Sequence, residues 1–153
     1  MIVNRNEMTV IKRSLEIEAP VANVFDFAAD WENWPKFFEG VSDFNPTTDI
    51  TRGNGASYAY KAKMFGMNVS VETTISEFVE NEGWIGTAVK GLPHRTQWMF
   101  KPRDQQTMFT YVLSYRLPIP LIGWIIDRFF VRPAWEKIVE RSLRNLKLLV
   151  EKV

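Results

Sequence analysis

Phe109-Thr110-Tyr111-Val112-Leu113-Ser114-Tyr115-Arg116-Leu117 is the stretch that decides the fold, together with the segment C-terminal to it. Phe109, Tyr111, Leu113, Tyr115 and Leu117 alternate with other residues, which is the period of a half-buried strand. Pro118-Ile119-Pro120 stops it. A helical period then runs almost to the C-terminus, with Pro133 kinking or restarting the helix. Beyond Pro133, Trp135, Ile138, Val139, Ser142, Leu143, Leu146, Leu149 and Val150 form one stripe. Glu136, Lys137, Glu140, Arg141, Arg144, Lys147 and Glu151 form the outer face. A sheet followed by one long closing helix builds a cup with a lid.

Working back towards the N-terminus, Thr9 to Glu18 reads as a first strand, with Ile11, Arg13, Leu15 and Ile17 in one phase. Pro20 suits the start of a helix whose apolar face is Val21, Val24, Phe25 and Ala28. Asp30 is placed to cap a second short helix through Trp31 to Phe38, with Pro35 in its first turn. From Val41 to Leu117 the helical signal vanishes. Turn residues such as Arg52-Gly53-Asn54-Gly55, Asn81-Glu82-Gly83 and Lys90-Gly91-Leu92-Pro93 separate strand-length segments. With the first strand they predict a sheet of about seven strands, an antiparallel meander. Tyr58, Tyr60, Ala62 and Met64 share a face, as do Met67, Val69, Val71 and Ile75; Trp98 and Phe100 continue it. Trp84 to Val89 is ambiguous, because both of its phases carry apolar residues.

The chain has 153 residues, a net charge of +1, no cysteine and one histidine. That length suits one domain with a proper core. The charge favours no nucleic-acid partner. The absence of cysteine excludes disulfides, thiolate zinc sites and cysteine nucleophiles, and suits a cytoplasmic protein. Six tryptophans, four tyrosines and eleven phenylalanines supply the walls of an apolar cavity. Residues 1–7 lack the apolar core of a signal peptide and read as a flexible polar leader, with Met8 as an alternative start and residues 8–153 as a single domain. The run from Leu117 to Val131 is interrupted by Asp127-Arg128 and is too short and charged to span a bilayer, which takes about 20 apolar residues.

Three segments carry a resemblance: Ile17-Glu18-Ala19-Pro20-Val21-Ala22-Asn23-Val24-Phe25, Asp30-Trp31-Glu32-Asn33-Trp34-Pro35 and Ser142-Leu143-Arg144-Asn145-Leu146-Lys147. With the element order, they make the chain similar to the START-related (SRPBCC) superfamily, shared by the major birch-pollen allergen, START lipid-transfer domains and polyketide cyclase/dehydrase-like proteins. The resemblance implies an α+β helix-grip fold. A curved antiparallel sheet of about seven strands wraps a long C-terminal helix, with two short helices between the first and second strands. It also implies a cavity between sheet and helix that holds a lipid, sterol, polyketide, aromatic or other mostly apolar molecule. Such pockets measure roughly 300–1,000 Å³.

The greasy face and the helix stripe nominate Tyr58, Tyr60, Met64, Val71, Trp98, Phe100, Phe109, Tyr111, Leu113, Trp135 and Val139 as ligand-binding residues. The hydroxyls of Tyr58, Tyr60, Tyr111 and Tyr115 need partners, because a buried unpaired hydroxyl costs about 1–3 kcal/mol. They pair with one another, with backbone, with water or with a ligand oxygen. Any imidazole base must be His94, which reads as a hairpin histidine near solvent. Glu72, Arg95 and Arg116 read as solvated, and Asp127 and Arg128 as surface residues. No serine–histidine–acid arrangement and no metal-ligand spacing is present, and no cofactor is expected.

The function expected is binding of a small apolar ligand. The competing class is a cyclase- or dehydratase-like enzyme acting on an enolisable ligand. In it Tyr60 or Tyr111 donates a proton or holds an enolate, and His94 serves as base if it points inward. The resemblance also leaves open a partner-binding role, as in co-chaperone activators of a heat-shock ATPase, and coenzyme Q binding. Residues 121–131 are richer in apolar side chains than one buried stripe needs. They read as a roof over the cavity, then as a hinged portal, and last as a peripheral membrane contact.

Overall fold

The computed structural model describes residues 8–64, 66–117 and 123–152, without the side chains of Met64, Gly123 and Trp124. The leader at 1–7 lies outside this range, as do Pro118 to Ile122 of the apolar segment. β1 (Thr9–Ile17) leads into α1 (Val21–Ala29), a 3-10 turn (Trp31–Asn33) and α2 (Trp34–Phe37). Six strands follow: β2 (Val41–Pro46), β3 (Ser57–Met64), β4 (Met67–Val79), β5 (Gly83–Lys90), β6 (His94–Arg103) and β7 (Gln106–Tyr115). After β7 come α3 (Gly123–Ile126), a π-helical turn (Asp127–Val131) and α4 (Arg132–Glu151). All strand pairs are antiparallel and the order is β1-β7-β6-β5-β4-β3-β2. This is the helix-grip arrangement, with seven strands and two short helices between the first and second.

Local chemistry explains the element ends. The Asp30 carboxylate accepts from the Glu32 backbone N–H at 3.0 Å and so caps the 3-10 turn. Pro133 sits in the first turn of α4, where its missing N–H costs nothing. β6 and β7 close through a two-residue loop, with Asp104 at φ 56°. Register shifts between Ser42 and Asn45 on β2, and at two places on β4, add residues to one strand of a pair. Such bulges bend a strand and increase its twist, which curls the sheet towards α4.

α4 lies along β1 and α2. Arg13 of β1 pairs with Glu140 at 3.0 Å and with Glu136 at 3.4 Å. The Ser142 hydroxyl accepts from the Glu39 N–H at 2.9 Å, and Asn145 donates to the Phe37 carbonyl at 3.2 Å. Beneath these contacts Val139, Leu143, Leu146 and Val150 are buried. Each such side chain contributes about 1.5–3 kcal/mol by leaving water. This burial holds the helix; the exposed ion pairs add little.

The inner face of the sheet is an aromatic web centred on Trp98. Its ring stacks on Trp84 at 4.9 Å and on Trp34 at 5.1 Å, and meets Tyr111 edge-on at 5.2 Å. The ambiguous fifth strand thereby resolves: Trp84 points inward, and Ile85 is buried beside it. Met67 departs from the expected alternation. At the first residue of β4, beside the hairpin turn, it is exposed, and burial of its phase begins in earnest only at Val71.

Candidate functional site

A cavity lies between the N-terminal half of α4 and the inner faces of β3, β4, β6 and β7. Its water-accessible volume is about 80 Å³. Trp135 and Ile138 of α4 face Tyr60, Val71, Thr73, Thr96, Trp98, Tyr111, Leu113 and Tyr115 of the sheet. Trp34, Phe38 and Phe44 close the side formed by α2 and β2. Glu39, Gly40 and Lys63 edge it, with the Lys63 N–H donating to the Gly40 carbonyl at 2.8 Å. Lys63 is exposed, and the Glu39 carboxylate is held by Arg141 at 2.7 Å.

The structure distributes the nominated residues unevenly. Tyr60, Val71, Trp98, Tyr111, Leu113 and Trp135 line the cavity. Tyr58, Phe100, Phe109 and Val139 are buried in packed core instead. The reason is α1. Phe25 packs edge-on against Phe100 at 5.1 Å and Trp84 at 5.4 Å, filling that half of the cup. Tyr58 lies under Trp34 and Phe44, and its hydroxyl donates to the Thr51 carbonyl at 2.6 Å. Burial pushes this hydroxyl's pKa up to about 12. The side chain of Met64 lies outside the described residues.

The polar groups of the cavity cross its sheet wall. The Tyr60 hydroxyl is 3.2 Å from Thr73 Oγ1 and 3.5 Å from His94 Nε2. His94 Nδ1 is 2.8 Å from the Leu92 carbonyl oxygen. Gly86 makes the wall possible: a β-carbon there would meet Thr96 Oγ1 at 2.7 Å and Thr73 Cγ2 at 3.1 Å. Burial raises the pKa of Tyr60 and of Tyr111. Tyr60 is near enough to the Tyr111 hydroxyl to push its pKa further up.

Two expectations are corrected here. His94 is not a solvated hairpin residue; it is part-buried and faces the cavity. The loop Gly91-Leu92-Pro93 folds back so that the Leu92 carbonyl fixes the ring. Asp127 is not a surface residue. It is buried and accepts hydrogen bonds from the hydroxyls of Tyr115 and Thr9, tying the π-helical turn to β7 and β1. That turn divides its apolar residues: Val131 is buried, while Phe129 and Phe130 are 62% and 68% exposed, with Arg128 against the Phe129 ring. Among the described residues none of this segment lines the cavity. Among the described residues no helix is long and apolar enough to cross a membrane, and no His, Asp and Glu cluster is arranged to hold a metal ion.

Thr73, Thr96, Leu92 and the α2–β2 aromatics were missed by sequence reasoning. Thr73 is in phase with Val71 and Ile75, so alternation marks it. Leu92 sits in a loop and carries no periodic signal.

Burial lowers the pKa of His94 below 6.5, and the bond to Leu92 offsets this only in part. The folded state therefore disfavours the imidazolium. Its contribution to stability is full above about pH 6.5 and is lost as pH falls through the lower folded value. Denaturant melts between neutral pH and about pH 5 should show this loss, and His94→Gln should flatten it. Identical slopes for the two proteins would refute the assignment, because no other histidine is present.

Fold and cavity together define a ligand-cavity protein of the helix-grip class. The chain belongs to the family described as polyketide cyclase/dehydrase and lipid transport, whose model matches residues 8–151. No curated protein sequence matches it. Among solved structures it is similar to TTHA0849 from Thermus thermophilus, with TM-score 0.80 and 21% identity over 93% of this chain and 97% of the other. It is also similar to the di-domain ARO/CYC protein StfQ of the steffimycin biosynthetic pathway, with TM-score 0.79 and 13% identity over 97% of this chain and 52% of that one. A START superfamily protein from Mycobacterium smegmatis matches with TM-score 0.66 and 14% identity over 94% of each chain. At these identities the likeness is one of fold.

Proposed function

We propose that the protein binds a small, mostly apolar molecule in the cavity between sheet and α4. The observation that carries this reading is an aromatic-walled space into which the polar side chains of Tyr60, Thr73, His94, Thr96 and Tyr111 converge. Desolvation of apolar surface drives such binding at about 25 cal/mol per Å². The polar groups set orientation. Family membership and the name of the StfQ protein fit a ring-containing ligand.

Acid–base catalysis is the second reading, favoured by one observation: His94 Nε2 and the Tyr60 hydroxyl lie 3.5 Å apart at the cavity wall. A ligand seated there would meet a base and a hydroxyl acid together. Native mass spectrometry of the protein from its own source, followed by denaturing extraction, tests the binding reading. A stoichiometric small molecule is expected. A clean apo mass would count against constitutive carriage and move weight to turnover.

A further inference from the structure

The identity of the proton on His94 restricts what the cavity can hold. A carbonyl oxygen only accepts, so the 2.8 Å contact with Leu92 places hydrogen on Nδ1. A neutral imidazole carries one such hydrogen, so Nε2 presents a bare lone pair to the cavity. The nearest donor to that lone pair is the Tyr60 hydroxyl at 3.5 Å, at the limit of a hydrogen bond. Tyr60 lies closer to Thr73, at 3.2 Å. Nε2 is therefore an acceptor with room for a better donor.

The rest of the lining narrows the choice. Besides His94, its inner polar groups are the hydroxyls of Tyr60, Thr73, Thr96, Tyr111 and Tyr115 and the indole N–H groups of its tryptophans, and none of these is charged. The charged lining residues, Glu39 and Lys63, sit together at one edge. An anionic ligand group placed deep against His94 would lose hydration without a counter-charge. Size acts as a second filter. A volume of about 80 Å³ lies well below the roughly 300–1,000 Å³ of drug-sized ligand pockets. That favours a compact ring molecule over the acyl chains of a membrane lipid. Flat aromatic walls, Trp34 stacked on Trp98 at 5.1 Å, suit a planar ligand.

We infer that the ligand is an uncharged one- or two-ring molecule bearing a phenolic or enolic hydroxyl that donates to His94 Nε2. This rests on the reading that the cavity holds a ligand. Three probes test it by calorimetry at neutral pH: 2-naphthol, 2-methoxynaphthalene and naphthalene-2-sulfonate. The full chain is expected to bind 2-naphthol about tenfold more tightly than the methyl ether, the effect of one hydrogen bond. The sulfonate should bind most weakly. His94→Phe should bring the naphthol and the ether to within about twofold of each other.

Equal affinity for naphthol and ether in the unaltered protein, or a preference that survives His94→Phe, would overturn the inference and leave ligand binding standing. Failure of all three probes to bind would overturn both. A measurement without substitution guards against a misfolded variant. The nitrogen resonances of the only histidine should show hydrogen on Nδ1 in the free protein, with Nε2 shifting when 2-naphthol is added. Hydrogen on Nε2 in the free protein would sink the proposal.

Discussion

Replacing Trp98 with alanine is expected to cost about 3–5 kcal/mol of stability, the range for emptying a large core site. In a domain of this length that lowers the melting temperature by roughly 6–20 °C. Trp98 holds this position because its ring touches Trp34, Trp84, Phe109 and Tyr111 while one side faces the cavity. Core and cavity wall are thus the same atoms. Binding of an aromatic probe such as 2-naphthol should weaken as well, because the enlarged cavity loses a flat wall. Thermal melts and calorimetry on the same preparation separate the two effects. A loss of stability with unchanged probe affinity at a temperature where the variant is folded would show that Trp98 is core alone.

Gly83→Ala is expected to be as damaging from outside the cavity. Gly83 opens β5 at φ 151° and pairs across both neighbouring strands, with Val79 and Met99. A β-carbon there would stand 1.9 Å from the Trp98 carbonyl oxygen. The backbone must move, since that oxygen belongs to the adjacent strand. Strain and overpacking each cost about 1–3 kcal/mol, so roughly 2–6 kcal/mol together. The displacement would also slide Trp84 from Trp98, now stacked at 4.9 Å. Near-ultraviolet circular dichroism should record the lost tryptophan stacking, and denaturant melts the lost stability. A variant that keeps both signals would contradict the close approach.

How much of this was legible in the sequence differs between fold and site. β7 is the clearest case. Its alternation Phe109, Tyr111, Leu113, Tyr115 matches the observed burial residue for residue. The α4 stripe is equally plain, with Val139, Ser142, Leu143, Leu146 and Val150 all buried. Asp30 caps where a cap was expected. Phase along a strand follows from side-chain geometry and needs no knowledge of partners.

The site was only half legible, because facing inward and facing empty space are different properties. Phe100 and Tyr111 have the same alternation signal. Phe25 fills the space beside Phe100, whereas Tyr111 borders the cavity. His94 looked solvated because proline and glycine precede it; the turn of the chain at Leu92 points it inward. Asp127 looked like a surface charge, yet hydroxyls from two strands more than ten residues away in the chain enclose it.

Composition and periodicity by themselves determined that this chain makes an antiparallel sheet, an aromatic inner face and one long closing helix. Those features depend on the repeat of side chains along a local backbone. Which inner residues border a cavity, which nitrogen of His94 is bare, and which acid is buried were decided only by the tertiary structure. They depend on how α1, the Leu92 loop and the π-helical turn pack against strands distant in sequence, and no local pattern encodes that packing.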